Sequence, residues 1–364
     1  MKKIIAGLSI VAASSLMAAN IDLYGQAHLS ADSVNNGDHT TVVLASNASR
    51  LGVKADAEIT NGITAILQYE MGVDLSGEGS NDDGNGGDFN KANGGGVNNG
   101  FFTSARDSFV GVKGSFGTIL AGNLPVINQY MYDYNLFADQ VGDLGNLWGG
   151  ASAIGVDRGS NTVAYFIPSF VEGLSGDVAY VTDSSGSNDG KKTIGVLLKV
   201  NYEISGLKIG VAYIALTKDS LASGAGNKPT DLTFTASYTR DNFSVGGGYL
   251  MADPDAGATK RRSYTVGGSF TMDKATLKAQ YTSVSDDVTN QDANQISLGA
   301  DYTVSKDATV YLAYASVSND VGASYGPNGW GHGKSTYGMP AAGKDPSVFS
   351  LGFIYKFGGN IYSK

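Results

Sequence analysis

From Ile194 the chain reads IGVLLKVNYEI. Ile194, Val196, Leu198, Val200, Tyr202 and Ile204 fall at one parity, Gly195, Lys199, Asn201 and Glu203 at the other, and Leu197 is the single exception. A side-chain period of two marks a strand whose two faces meet different surroundings. The pattern returns at 232–239, 264–270, 275–282, 295–304 and 349–357. In the fourth of these, Ile296, Leu298, Ala300, Tyr302 and Val304 alternate with Gln295, Ser297, Gly299, Asp301 and Thr303.

Alternation also suits a soluble β-sandwich, so the connections have to decide. Short ones occur at Asn61-Gly62, Ser205-Gly206, Asp241-Asn242, Asp273-Lys274 and Lys306-Asp307, all residue types suited to hairpin turns. Long ones fall at about 32–48, 74–103, 123–160, 183–192, 219–230, 253–262, 285–293 and 319–346. Tight turns at one end and long loops at the other predict an all-β, transmembrane antiparallel barrel. The spacing gives sixteen strands, from Ile21–Asp32 to Val348–Phe357, with those between 103 and 182 the least regular. An even count lets the last strand pair antiparallel with the first, leaving no backbone edge open to lipid. All seven prolines lie in connections or at strand starts, where no ladder hydrogen bond is lost. Tyr202, Tyr238, Phe243, Phe270 and Tyr302 sit close to the short turns, as an interfacial aromatic girdle does.

The first nineteen residues read differently. Lys2 and Lys3 precede an apolar run from Ile4 to Val11 and a small-residue stretch to Ala19, the layout of a secretory signal peptide cleaved after Ala18 or Ala19. The run is shorter than the ~20 residues a spanning helix needs. The expected organisation is a signal peptide at 1–19, a barrel domain at 20–357 and a short periplasmic tail at 358–364. The chain holds 51 glycines and no cysteine, so pairing and packing carry its stability. Its net charge is −9, becoming −11 without Lys2 and Lys3, and basic runs are absent, which argues against nucleic acid as a partner.

Candidate chemistry is sparse. His28, His39 and His332 are the only histidines. His28 falls on the polar face of the first strand beside Gln26, and the other two fall in loops of ordinary surface composition. None has metal-ligand spacing, and no base stands near a nucleophile in the pattern, so neither a cofactor nor catalysis is expected. The acidic, glycine-rich NDDGNGGD at 81–88 lacks a full calcium-loop motif and reads better as a solvated loop. GGGVNNG at 94–100 does not join a strand to a helix, so it makes no phosphate cradle. Trp148 and Trp330 are expected as packing anchors in loops.

Five stretches together carry a family resemblance: IDLYGQ at 21–26, SRLGVKADAEI at 49–59, ARDSFVGVKGSFGTILAGN at 105–123, RGSNTVAYFIPSF at 158–170 and SLGFIYKF at 350–357. Over the whole mature chain the sequence resembles the general diffusion porins of Gram-negative bacteria. The resemblance implies a sixteen-stranded barrel, usually a homotrimer, whose third long loop folds into the pore. It implies a cluster of basic wall residues facing acids on that loop. Arg50, Arg106 and Arg158 match three basic positions, while a fourth falls on Gln26. Asp133, Asp139 and Asp143 are the available loop acids, although the usual glutamate after a proline is missing. Ser350, Gly352, Tyr355 and Phe357 fit the closing-strand signal read by the barrel-assembly machinery, and the chain runs on past the usual terminal Phe.

Independently of the resemblance, Arg50 shares the polar face of its strand with Lys54, Asp56 and Glu58, opposite Leu51, Val53, Ala55 and Ala57. Charge on the lipid side is expensive, so these four belong to the lumen, as does Gln26 on the polar face of the first strand. The expected protein is an outer-membrane channel, not an enzyme, passing small hydrophilic solutes and ions. Its surroundings are lipid and lipopolysaccharide, and it holds no metal. The alternative is a channel selective for an oligosaccharide or an anion. Arg50, Arg106 and Arg158 are expected to face the loop carboxylates, or else to pair with neighbouring wall acids.

Overall fold

The computed structural model describes residues 19–76, 102–125, 133–154, 158–182, 193–218, 228–255, 259–333 and 335–363. The signal-peptide stretch up to Ala18 and the 81–88 and 94–100 segments lie outside the described residues.

The strand segments are β1 (Ala19–Asn35), β2 (Thr40–Ser46), β3 (Arg50–Thr60), β4 (Ile63–Val73), β5 (Phe102–Ala105), β6 (Ser108–Gly114), β7 (Gly117–Leu124), β8 (Gly159–Phe166) and β9 (Leu174–Val181). They continue with β10 (Thr193–Ile204), β11 (Leu207–Lys218), β12 (Thr230–Arg240), β13 (Phe243–Asp253), β14 (Arg261–Met272), β15 (Ala275–Asp286), β16 (Ala293–Ser305), β17 (Ala308–Asn319) and β18 (Ser347–Tyr362). Segments β2 and β3 both pair with β1 and form one barrel strand, broken at Asn47–Ser49. Segments β5 and β6 do the same against β4, broken at Arg106–Asp107. The result is a closed antiparallel barrel of sixteen strands, sealed where β1 pairs with β18.

The turns behave as their residues dictate. Gly62, Ser205, Gly206, Asp241 and Asp273 all take positive φ, the backbone that a tight hairpin between twisted strands requires. Every proline lies outside the strands. Alternation then sorts the side chains. Ile296 and Leu298 are about half exposed on the outer face, while Gln295 and Ser297 are fully buried on the inner one. Apolar out and polar in is the inverse of a soluble fold and fits a wall between lipid and lumen. Leu197, the exception in the β10 pattern, faces inward and joins an apolar cluster with Leu124, Ile154, Ala179 and Ile214.

Two expectations change. The first long loop, placed at 32–48, is a four-residue turn at Asn36–His39, because β1 and β2 extend their ladder to Asn35↔Thr40. The tail placed at 358–364 is part of β18 up to Tyr362. Gly358, Gly359 and Asn360 pair with Tyr24, Leu23 and Asp22, and the Asn360 amide donates to Asp22 at 3.0 Å. This pairing satisfies the backbone groups at the start of β1, which an open edge would leave unmet.

Inside the barrel, the segment between β7 and β8 carries a short helix, α1 (Gly145–Ala151), and packs on the wall. Leu144, Leu147 and Trp148 meet Leu250, Ala252, Val284 and Val317. Phe137 and Val141 meet Tyr311, Ala313, Ala315 and Val348. The Gln295 amide donates to the carbonyls of Gly142 and Asp143, and the Ser297 hydroxyl donates to that of Gly142. Apolar residues on an otherwise polar inner face are thus explained: they anchor this third loop, as expected. Trp148 serves as one of the anchors, almost fully buried.

Candidate pore constriction

Arg50 opens β3 just after the Asn47–Ser49 break, which turns its side chain across the lumen. Its Nη1 stands 3.7 Å from Asp139 Oδ2 on the third loop, and its Nη2 donates to Gln26 Oε1 at 3.2 Å. Gln26 therefore orients an arginine that meets a loop carboxylate, in place of adding a charge of its own. About a quarter of the Arg50 side chain remains exposed, so this pair faces the open lumen.

Arg106 and Arg158 pair with carboxylates of the barrel wall. The break between β5 and β6 points Arg106 at Glu70 on β4, with Nε at 2.7 Å from Oε1. The Arg106 backbone N–H also bonds the Glu70 carbonyl, at 2.9 Å. Asp107, on the other side of the same break, takes Arg158 Nε at 2.7 Å. Both arginines are nearly buried. A break in a strand re-aims side chains that regular alternation would separate, so Arg106 and Asp107 both serve the inner wall. Tyr24 donates to the second Glu70 oxygen at 2.9 Å, and Lys54 lies over the Tyr24 ring, 4.6 Å from its centroid. Asp56 and Glu58 continue the same face toward the short-turn end, accepting from Asn20 and from the Gly62 backbone.

The loop acids divide in the same way. Asp133 meets two wall lysines, Lys199 Nζ at 2.6 Å and Lys208 Nζ at 3.5 Å, with Thr235 donating at 3.3 Å. Asp143 is a correction to the expected set. Its carboxyl is buried and accepts from Asn135, from the Asp139 backbone and from the Gly145 backbone at 2.7–2.9 Å, so it shapes the loop and does not face the pore. Burial pushes the Asp143 carboxyl up to about 7, with the neighbouring Asp139 charge adding to the rise and the three donors opposing it.

Sequence reasoning missed Glu70, Asp107, Lys208 and the Lys278–Asp301 pair at 2.9 Å. Lys278 also donates to Gln140 on the loop at 2.8 Å and lies over the Phe137 ring. Lys199, Lys278 and Asp301 stood in the alternation as inward-facing charges, and that was their signal. Asp107 carried none, because only the strand break brings it inward. Among the described residues, no three potential metal-binding side chains gather into a site.

On the closing strand, Ser350 is buried on the inner face, and Tyr311 lies against Gly352. Tyr355 and Phe357 point outward with ring centroids 6.3 Å apart, and Phe357 covers Gly25 of β1.

A family model described as Gram-negative porin matches residues 6–322. Outer membrane porin protein 32 of Delftia acidovorans is 26% identical over 355 residues, covering 90% of this chain and 92% of that one. Major outer membrane protein P.IB of Neisseria gonorrhoeae is 30% identical over 219 residues, 57% of this chain and 55% of the relative. Among solved structures, an anion-selective porin from Comamonas acidovorans superposes with a TM-score of 0.74 at 22% identity, over 93% of this chain and all of that one. The trimer form of Vibrio cholerae OmpT superposes at 0.64 and 18% identity, over 93% of this chain and 100% of that one. Family match, closed barrel and inward loop agree: the chain belongs to the Gram-negative porin family and is an outer-membrane channel through which small solutes diffuse.

Proposed function

We propose that the channel is non-enzymatic and filters small hydrophilic solutes and ions by a transverse field between wall cations and third-loop carboxylates. One observation carries this reading: the partly exposed cations Arg50 and Lys208 approach Asp139 and Asp133 on the loop. Opposite charges held across a narrow lumen orient dipolar solutes, and the effect grows where bulk water is thinned out. Arg106 and Arg158 contribute through buried pairs with Glu70 and Asp107. Those pairs fix the wall and present little net charge to a passing ion.

The trimer form of OmpT supports a homotrimer as the working unit. Lipid and lipopolysaccharide would surround it. The Ser350, Gly352, Tyr355 and Phe357 pattern would present the closing strand to the barrel-assembly machinery.

The test is a reversal potential across a salt gradient in planar bilayers. Arg50→Gln with Lys208→Gln should shift it toward cation preference. An unmoved potential in that double variant overturns the reading.

A further inference from the structure

The segment between β17 and β18 falls within the long connection expected at about 319–346, where His332 is expected in a loop of ordinary surface composition. Its middle instead enters the lumen and docks on the third loop. Trp330 lies over the glycine face of α1: a Cβ added at Gly145 would fall 2.5 Å from the indole, and one at Gly149 would fall 2.7 Å from it. Asn146 Oδ1 accepts from the backbones of Gly329 and Trp330, both at 2.8 Å, and Gly142 donates to the Pro327 carbonyl at 2.7 Å. On its other side the segment meets the barrel wall through His332, which is fully buried with Asp32 of β1.

The surroundings of His332 specify its protons. Nδ1 faces the Gly333 carbonyl at 2.6 Å, which only accepts. Nε2 faces Asp32 Oδ2 at 3.3 Å and Ser30 Oγ at 3.4 Å. Ser30 spends its single proton on Asp32 Oδ2 at 3.0 Å and accepts from Asn47, so it too is an acceptor toward the ring. Acceptors face both ring nitrogens, an arrangement that favours an imidazolium against the Asp32 carboxylate. Loss of one proton leaves two buried acceptors facing each other, a costly arrangement.

We propose that residues 327–333 form a second pore-narrowing element and that His332 is its positioning residue, holding it in the lumen while the ring carries both protons. Among the described residues, the other titratable or charged groups around this site are His28 on β1, Tyr311 on β17, which bonds His28 at 2.8 Å, Arg50 on β3, Lys278 on β15 and Asp139 on the third loop beside Gly331. The inference does not depend on which ions the constriction prefers.

The experiment records single-channel conductance of the full-length protein in potassium chloride at pH 5 and pH 9. Conductance follows open cross-section, so the unaltered channel should rise at least about twofold between the two. His332→Gln should already conduct at the higher level at pH 5 and stay flat. His332→Lys, which keeps its charge across this range, should stay at the lower level at pH 9. Trp330→Ala removes the docking knob without stranding a buried charge, so it keeps the test alive if the histidine variants fail to fold; it should raise conductance at pH 5. A pH-independent native channel, a His332→Gln channel that keeps the native rise, a His332→Lys channel that opens at pH 9, or a Trp330→Ala channel at the native level overturns the proposal.

Discussion

The guanidinium of Arg50 stands 3.7 Å from the carboxylate of Asp139, a pair that reaches from the barrel wall to the third loop. Because this pair and Lys208 remain partly exposed, removing their charges should change selectivity more than stability. Arg50→Gln with Lys208→Gln should melt within about 1 kcal/mol of the native barrel while the reversal potential moves toward cations. Heat-modifiable electrophoresis and a salt-gradient bilayer recording check the two halves.

Arg106 should behave in the opposite way. Arg106→Gln leaves the Glu70 carboxylate buried beside a neutral amide, and breaking a buried pair by removing one partner costs about 3–5 kcal/mol. A urea melt that shows no loss for this variant would mean Glu70 reaches water or another cation.

The two faces of β16 offer a sharper contrast. Leu298→Arg puts a charge on the lipid side and should cost up to ~2–4 kcal/mol if it lies near the bilayer midplane. Ser297→Arg points inward, against Gly142 of the third loop, so it should displace the loop and alter conductance. Equal destabilisation by the two substitutions would contradict the assignment of faces.

The turn around Asp143 should loosen locally with rising pH while the third loop stays docked on the wall through Phe137, Leu147 and Trp148. The Asp143 carboxyl, near 3.9 in an unfolded chain, is pushed up to about 7 when buried in the docked loop. A group raised on folding contributes fully below its unfolded value and loses that contribution as pH climbs through its folded one. Amide exchange over 133–154, corrected for intrinsic rate, should therefore be faster at pH 8.5 than at pH 5.5, and still so in a His332→Gln background. Equal corrected rates would remove Asp143 as the cause.

Residues past Phe357 should matter for closure. Deleting 358–364 exposes Asp22, Leu23 and Tyr24 on the seam where they now pair with Asn360, Gly359 and Gly358. The folded fraction should fall, though less than with Phe357→Ser, which loses the ring covering Gly25. Normal folding of the truncated chain would show that the extension is dispensable.

Alternation, turn chemistry and the even strand count were local properties, and they were legible. Gln295 and Leu298 are sorted to opposite faces by a period of two, and Ser205-Gly206 turns because its two residues tolerate positive φ. For the same reason the barrel, its inward charges Arg50, Lys54, Asp56 and Glu58, and the outward row ending in Tyr355 and Phe357 follow from the order of residues alone. What it could not determine were the partners of those charges. Whether Arg106 meets Glu70 or a loop acid depends on a strand break at 106–107, and Asp143 looked like a pore acid until three donors closed around it. Trp330 finds the glycines of α1 from nearly two hundred residues away, and His332 finds Asp32 across the closed barrel. Such contacts arise only once the sheet has closed and the loops share one enclosed space, because no periodicity along the chain records which groups the closed wall will bring face to face.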